Sequence, residues 1–461
     1  MDHKNIILLG TFLCTAISGC GTHPEVGLQP SKRNSNSTQS SVSTTNVGTP
    51  AIGSSQAPIS GELTLGMAVD LALERSPGLE AYRSDLLKSR ALARQAGIWR
   101  NPVLEVEVED YRSPAGTLEP DARETTIAIT QELPLGRDVA RLRQLASARA
   151  ESVNWEFEAT RLEVVLKVSR RFVQALAGDR RVAMAEDEMA LAKETHAVIE
   201  QLVEVGKASP VELVRYEVSL IEAEVELARE RRNRDNAYRL LAATWGSREG
   251  GFDNLSGDLA RIQAPPSPQL LAEYIRANPE IARWSAKISE QVAMRRLAVA
   301  EAIPDPSIRL GIKERDFPDE EALVVGIELP LPIFDRGQGA LLAAREGEHS
   351  ARARKRSAEL RIEGMLGTAW THLSNAYHEA LALKEKAIPA SEEAFSATQL
   401  AYKEGKLGLL DVLDAQQTLF EMRHRYLDAL VACQLMTAEV EALIGQPLTT
   451  FQGVVNPGTN D

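Results

Sequence analysis

Aromatic side chains and clusters of positive charge are both scarce in this sequence of 461 residues. Phe, Trp and Tyr together make up 5% of the residues, which is few for large globular cores. Ala, Leu, Glu and Arg instead fill long tracts, which favours helices packed side by side through small side chains. The net charge is −13 and the one prominent basic cluster is 352–356, so we expect no nucleic-acid partner.

Cysteine pairs and catalytic motifs are also missing. Cys14 lies in the N-terminal apolar region, Cys20 follows that region, and Cys433 stands alone, so no pair remains for a structural disulfide. The sequence has no nucleophile triad, phosphate-binding loop or CxxC pair. His372 and His378 are six positions apart and do not share a helix face as a ligand pair would. We therefore expect no catalytic residue, no metal site and no cofactor.

The N-terminus has the pattern of a secretory signal at 1–19, with Lys4 ahead of an apolar run too short to remain as a membrane helix. Small residues directly before Cys20 resemble the lipobox of bacterial lipoproteins, which implies lipidation of that cysteine. Gly21, where Asp would favour the inner membrane, indicates the outer membrane. The alternative is an ordinary signal peptide cleaved elsewhere. Residues 20–62, rich in Ser, Thr and Asn, are predicted to be a flexible linker.

The rest of the chain is a duplicated unit. Gly206-Lys207 stands 199 positions before Gly405-Lys406, and other landmarks recur in the same order at similar offsets. A repeat of this length predicts two structurally equivalent units. We divide the chain into a first repeat (63–246), a crossover linker (247–268), a second repeat (269–447) and a C-terminal tail (448–461).

Each repeat contains a stretch in which apolar and polar residues alternate, and this predicts β-hairpins at 103–131 and 307–329. In the first hairpin, Leu104, Val106 and Val108 alternate with Glu105, Glu107 and Glu109. Such alternation is typical of a sandwich edge and also of a membrane barrel strand. The whole chain has only four candidate strands, which are too few to close a barrel, so a barrel would need several copies of the chain.

Helical patterns make up most of the remaining sequence. Shorter helices are predicted at 63–75 and 78–100, and a long helical hairpin in each repeat, at 136–245 and 338–445. The tracts 136–205 and 338–404 each run to a tip turn, where a glycine can adopt the left-handed conformation that ends a helix. Asp411 and Asp414 follow the second turn three positions apart, so they share one helix face. Taken alone, they are typical of a solvated helix cap.

These features together resemble the TolC-like outer-membrane efflux proteins. The resemblance rests on the duplicated order, the Asn101-Pro102 before the first strand, the corner Gln131–Gly136, and the tips GKASPVEL and GKLGLLDVLDAQ. It covers nearly everything from Leu63 to Pro447. The GKAS tip and the strand TTIAITQEL look most like the outer-membrane subunits of cobalt, zinc and cadmium export systems.

The resemblance implies a mainly α fold with a small β part. Three chains would close a twelve-stranded β-barrel, four strands from each, continued by a long α-helical coiled-coil barrel. The homotrimer would lie in the outer membrane, in contact with lipid, and would meet a periplasmic adaptor and, through it, an inner-membrane RND-type transporter. The protein itself would be a passive duct and not an enzyme.

The resemblance also implies roles for particular residues. Asp411 and Asp414 match the carboxylates that ring the periplasmic aperture, where they would select cations. Tyr402 matches a gate tyrosine, and Glu212 lies where its acidic partner is expected. The sequence departs from the family at Leu407, where a gate arginine is expected, so the closed state would be locked differently. The tip residues expected to touch the adaptor are Gly206, Lys207, Ala208, Ser209, Gly405, Lys406, Leu407 and Gly408.

Three questions stay open at the level of sequence. One question is whether Glu105, Glu107 and Glu109 line the barrel interior as part of a carboxylate-lined path. The alternative is that they simply keep one polar face of the hairpin in contact with water. The cargo is divalent heavy-metal cations by subgroup resemblance, with drugs or other small organic molecules as the alternative. A lipid-anchored periplasmic coiled-coil scaffold without a pore is a rival function, and a hydrolase is a more distant one.

Overall fold

The computed structural model describes residues 61–109, 124–248, 252–316 and 319–451. The predicted signal peptide, the lipidated Cys20, nearly all of the predicted linker, and the chain beyond 451 lie outside the described residues.

The first repeat opens with a short strand and two helices, continues with two longer strands, and ends in a helical hairpin. Its elements are β1 (Glu62–Thr64), α1 (Leu65–Arg75), α2 (Pro77–Gln95), β2 (Val103–Glu109), β3 (Glu124–Glu132), α3 (Asp138–Glu204) and α4 (Pro210–Ala242). A 3-10 turn at Ala243–Trp245 ends the repeat. With 67 residues, α3 is roughly 100 Å long at about 1.5 Å per residue.

The second repeat follows the same order after a crossover that contains one short strand. Its elements are β4 (Asn254–Ser256), α5 (Pro268–Ala272), α6 (Pro279–Glu301), β5 (Ser307–Asp316), β6 (Asp319–Glu328), α7 (Gln338–Ala382), α8 (Ile388–Lys403) and α9 (Leu409–Ile444). A π-helical turn, Leu383–Ala387, joins α7 to α8, and short 3-10 turns lie at Ile275–Ala277 and Leu448–Phe451.

Proline begins four of these helices because it has no N–H to leave unpaired in the first turn. Pro77, Pro210, Pro268 and Pro279 all occupy that position. The residue before Pro279 shows the accompanying cap, since Asn278 Oδ1 accepts a hydrogen bond from Glu280 N at 2.8 Å. These prolines therefore mark the residues at which the four helices begin.

The structure corrects the sequence predictions in three places. The described residues contain six strands rather than four, because β1 and β4 form an additional parallel pair. The helix predicted at 78–100 ends at Gln95, and the one predicted from 63 begins at Leu65. The tract 338–404, predicted to be one continuous helix, is interrupted by the π turn. The turn lies just before Pro389, which lacks the N–H that a regular helix would donate at that position.

The four longer strands form one antiparallel sheet in the order β2-β3-β5-β6. Each repeat contributes one hairpin, and the two hairpins join where β3 pairs with β5 over nine residues from Glu124–Arg315 to Glu132–Ser307. Within the described residues, β2 and β6 each pair on one side only. The sheet is therefore open at both edges in a single chain.

Three clusters of buried apolar residues hold the helices together. The first lies among α1, α3, the π turn and α9 and includes Phe172, Trp245 and Leu430. The second joins α6, α7 and α9 around Leu373 and Val440. The third, which we call the tip core, contains Ile199, Tyr216, Phe395, Tyr402, Leu409, Val412 and Leu419.

Candidate functional site

Both tip turns have the same backbone geometry, a Schellman motif closed by a glycine with positive φ. In the first tip Gly206 has φ +73° and Lys207 N donates to Leu202 O at 2.8 Å. In the second tip Gly405 has φ +74° and Lys406 N donates to Ala401 O at 2.9 Å. The repeated Gly-Lys pair is thus explained by a shared backbone requirement.

The two tips differ in how the outgoing helix is capped. Ser209 Oγ accepts a hydrogen bond from Val211 N at 3.2 Å at the start of α4. At the start of α9 the cap is a carboxylate, since Gly408 N donates to Asp411 Oδ2 at 2.8 Å. Asp411 is thereby fixed in the first turn, where the helix dipole favours negative charge.

Asp411 and Asp414 are both exposed in the single chain, while Val412 between them is fully buried in the tip core. The buried valine fixes the orientation of this turn, so the carboxylates point away from the tip core. Helix-cap chemistry and an exposed acidic face are therefore compatible for Asp411. The role of Asp411 and Asp414 at an aperture stays a prediction.

Tyr402 is buried, with 8% of its surface exposed, and its hydroxyl donates to Glu212 Oε2 at 3.3 Å. This bond links the end of α8 to the start of α4, so it joins the two tips. Burial and the neighbouring Glu212 carboxylate raise the pKa of Tyr402 to about 12, which keeps the phenol a proton donor at neutral pH. The structure therefore brings this predicted pair together; its function as a gate stays a prediction.

A second hydrogen bond between the tips was missed by sequence reasoning. Tyr216 in α4 is fully buried and donates to Gln416 Oε1 in α9 at 3.1 Å. Burial raises the pKa of Tyr216. The signal in the sequence was a tyrosine and a glutamine 200 positions apart, close to the repeat offset.

The residues predicted to touch an adaptor lie at the extreme ends of the hairpins. Ala208 is half-buried, and the other seven are exposed: Gly206, Lys207, Ser209, Gly405, Lys406, Leu407 and Gly408. Lys406 forms an ion pair with Glu404 at 2.6 Å. Leu407, at the position of the expected arginine, is 42% exposed, so an apolar side chain is presented at this turn.

The four-stranded sheet has one bare apolar face and one charged face. Ten large apolar side chains on the first face are 45% to 77% exposed: Leu104, Val106, Val108, Ile127, Ile129, Leu310, Ile312, Leu323, Val325 and Ile327. On the opposite face Ala128 is 1% and Thr126 is 7% exposed. This arrangement is the reverse of a water-soluble sheet, whose apolar face is the covered one.

Glu105, Glu107 and Glu109 lie on the polar face, but they are not a purely acidic lining. Arg309 Nη2 lies 3.4 Å from Glu105 Oε2 and 3.1 Å from Glu107 Oε2. Lys313 Nζ lies 3.5 Å from Glu109 Oε2 and also pairs with Glu124. The glutamates of β2 are therefore paired with cations from β5, and their place in the lumen of a barrel stays a prediction.

Two further features of the described residues are the lone Cys433 and the arrangement of side chains that could bind a metal ion. Cys433 is buried in the second cluster, and burial raises the pKa of its thiol to about 11. Among the described residues, no group of three or more His, Cys, Asp or Glu side chains is arranged to hold a metal ion.

None of the helices in the described part of the chain combines the length and the apolarity needed to cross a bilayer.

The family described as outer membrane efflux protein matches this sequence twice, at residues 68–247 and 270–446. The chain is 29% identical over 406 residues to the cobalt-zinc-cadmium resistance protein CzcC of Cupriavidus metallidurans, covering 86% of this chain and 94% of that protein. It is 24% identical over 283 residues to the nickel-cobalt-cadmium resistance protein NccC of Alcaligenes xylosoxydans, covering 61% of this chain and 64% of that protein.

The fold is also found among solved structures. A crystal structure of CusC superposes with a TM-score of 0.71 at 16% identity, covering 83% of this chain and 92% of the CusC chain. At this identity the likeness concerns the fold: two repeats, each with strands and a long helical hairpin.

Proposed function

The chain belongs to the outer membrane efflux protein family, and from this premise we propose that it is the outer-membrane duct of a tripartite pump that exports divalent metal cations. The resemblance predicted from the repeat and the tips is confirmed, as is the mainly helical tandem-repeat fold. The outer membrane is its location. Members of the family are efflux proteins, and we propose a passive conduit with no catalytic step of its own.

The observation that carries the proposal is the bare apolar face of the sheet. Burying an apolar side chain of this size contributes about 1.5–3 kcal/mol, so ten of them left in water would be strongly unfavourable. Lipid contact removes this cost, and the charged opposite face then faces a water-filled lumen. A periplasmic scaffold without a pore gives no reason for a charged face behind an exposed apolar one.

We propose that three copies assemble. One chain supplies four long strands with the edges of β2 and β6 open, so β6 of one copy can pair with β2 of the next. Twelve strands close a barrel and leave no edge unpaired. Each repeat (63–246 and 269–447) would contribute two strands to every third of the barrel, and Cys20 would carry the lipid anchor.

We propose that the tips form the aperture and the docking surface for the periplasmic adaptor, which in turn connects to an inner-membrane RND-type transporter. The support is chemical. Asp411 and Asp414 are exposed, Asp411 accepts the cap hydrogen bond from Gly408 N, and the Tyr402–Glu212 hydrogen bond joins the two tips. Six carboxylates from three chains would attract cations and repel anions.

The cargo proposal rests on the named relatives. CzcC and NccC are resistance proteins for cobalt, zinc, nickel and cadmium by their names, and CzcC matches almost throughout its length. Small organic molecules are the alternative cargo. The choice concerns the whole pump, so it is tested in cells.

The experiment compares a deletion strain with strains that express the wild-type chain or the Asp411→Asn, Asp414→Asn variant. Growth and cellular metal content are measured in zinc, cobalt and cadmium, and growth is measured in parallel with dyes and detergents. We expect the deletion to sensitise cells to the metals only. Sensitivity to dyes alone would support the organic cargo, and purified protein that forms no channel in a planar bilayer would support the scaffold.

A further inference from the structure

The polar face of the sheet has a feature that the proposed duct does not by itself require. Four carboxylates, Glu105, Glu107, Glu109 and Glu124, lie on this face of two adjacent strands, and Glu109 stands directly opposite Glu124. Like charges at directly opposed positions are unfavourable in a sheet. Carboxylate oxygens in such a group are also ligands for divalent cations.

Three cations from β5 contact these carboxylates: Arg309 and Lys313 reach across β3 to β2, and Arg315 pairs with Glu124 on β3. Arg309 Nη2 bridges Glu105 and Glu107, and Lys313 Nζ bridges Glu109 and Glu124. The side chain of Arg309 is 32% exposed and that of Lys313 is 30% exposed, so both are largely covered although they are charged.

The intervening strand is built to let the cationic side chains pass. Under their path β3 carries Ala128 and Thr126, which are 1% and 7% exposed. Between the two cations β5 has Gly311, where an added Cβ would lie 2.6 Å from Ile127 O and 2.7 Å from Ala128 Cβ. Small residues at these positions allow one cation to contact two carboxylates two strands away.

We propose that Arg309 and Lys313 are specificity-determining residues of the duct, which occupy the carboxylates of the lumen and so prevent them from retaining divalent cargo in transit. The inference rests on the proposed function, since it needs the polar face to line a conducting path. Each of these two cations lies within contact distance of two carboxylates and so compensates the charge that would attract a divalent ion. The lumen can then keep its water-attracting carboxylates without trapping the ions that pass.

The test uses purified full-length protein in planar lipid bilayers, with ZnCl2 added to a KCl solution. The variant Arg309→Gln, Lys313→Gln frees Glu105, Glu107 and Glu109, while Glu124 keeps its ion pair with Arg315. We expect its half-blocking ZnCl2 concentration to fall by about tenfold or more, because two positive charges are lost at contact distance from the proposed ion site. In a KCl gradient its reversal potential should move toward that of potassium.

Two further variants control for charge and for folding. Arg309→Lys, Lys313→Arg keeps both charges and should behave as wild type. Adding Glu107→Gln and Glu109→Gln to the glutamine variant should restore the wild-type blocking concentration. If the glutamine variant does not insert, Glu107→Gln, Glu109→Gln alone, which leaves the cations in excess, should shift the reversal potential toward chloride.

The outcomes separate this inference from the duct itself. Wild-type protein that conducts, with blocking concentration and reversal potential unchanged in the variants, would overturn the role of Arg309 and Lys313 and leave the duct standing. Wild-type protein that forms no channel would overturn both.

Discussion

The two tips of the molecule share a backbone but differ in charge. Gly206 and Gly405 close superimposable turns, and a lysine follows each glycine. At the repeat offset of 199, Glu212 corresponds to Asp411, whereas Arg215 corresponds to Asp414. The shared turn is required by helix geometry, while the charge of the outgoing helix is free to diverge. This difference indicates that the acidic function belongs to the second tip.

The approach to each tip also differs. The first tip is reached by α3, which is unbroken over 67 residues, whereas the second is reached through a π turn and Pro389. A π turn inside a helix loosens the regular hydrogen-bond ladder locally. The helix that carries the buried gate candidate Tyr402 is therefore the interrupted one. We expect the second tip to move more easily than the first.

The largest effect should come from removing the acidic charge that distinguishes the second tip. Asp411→Asn with Asp414→Asn keeps an acceptor for Gly408 N but deletes six charges from a trimer. We expect the preference for potassium over chloride to fall by a factor of about ten or more, equivalent to at least about 1.4 kcal/mol. Reversal potentials in planar bilayers measure this preference for potassium over chloride. The matched variant Arg215→Gln at the first tip should change it little, and an equal effect from both tips would contradict the comparison.

The next effect concerns the shared turn. Gly206→Ala and Gly405→Ala place a Cβ at positive φ in open space, since nothing lies within 4 Å of either position. Each should destabilise its tip by about 1–2 kcal/mol, because an L-residue is strained in this conformation. Hydrogen exchange of the tip amides measures the loss. The control is Gly364→Ala, which also has no atom within 4 Å of the added Cβ but lies within α7, and it should not destabilise the protein. Unequal losses of stability for Gly206→Ala and Gly405→Ala would show that the two turns are not equivalent.

A smaller effect is expected at the bond that joins the tips. Tyr402→Phe removes the hydrogen bond to Glu212 and should weaken the closed arrangement by about 0.5–1.5 kcal/mol. Single-channel recordings should show a larger open fraction. Tyr82→Phe, at an exposed tyrosine in α2, is the control and should leave the open fraction unchanged. A Tyr402→Phe channel with wild-type gating would remove this residue from the proposed gate.

The smallest effect is a pH dependence at a contact between the two hairpins. His424 in α9 forms an ion pair with Glu188 in α3 at 3.0 Å, and this bond raises the pKa of His424 above its ordinary 6.5. Asp428 and Glu226 act in the same direction. The pair therefore contributes stability fully below pH 6.5 and loses it as the pH rises through the raised pKa. Melting temperatures from pH 6 to 8 should fall more for wild type than for His424→Gln, and parallel curves would contradict this.

The features that sequence reasoning predicted are those encoded locally. The tip turns follow from Gly-Lys after a long helical tract, and the four long strands follow from strict alternation over seven to ten residues. The division of the sheet into an apolar and a charged face also follows from that alternation. The resemblance to the efflux family rested on these local signals combined with the repeat.

The features that were missed depend on distant parts of the chain. The three-residue strands β1 and β4 are too short to show an alternating pattern, and they pair across about 190 residues. The partners of Glu107 and Glu109 lie 202 and 204 positions away on β5, and Tyr216 meets Gln416 across 200 positions. A single sequence gives residue types at such positions but not which of them meet.

The open sheet has a consequence for biogenesis. A newly exported chain must cross the periplasm with ten apolar side chains bare and with one edge each of β2 and β6 unpaired, which is a template for aggregation. The helical hairpins can bury their apolar residues in their own cores. The apolar face of the sheet, by contrast, stays exposed to water until lipid and other copies of the chain are available. We therefore expect a chaperone of the holdase type to accompany the monomer until it inserts.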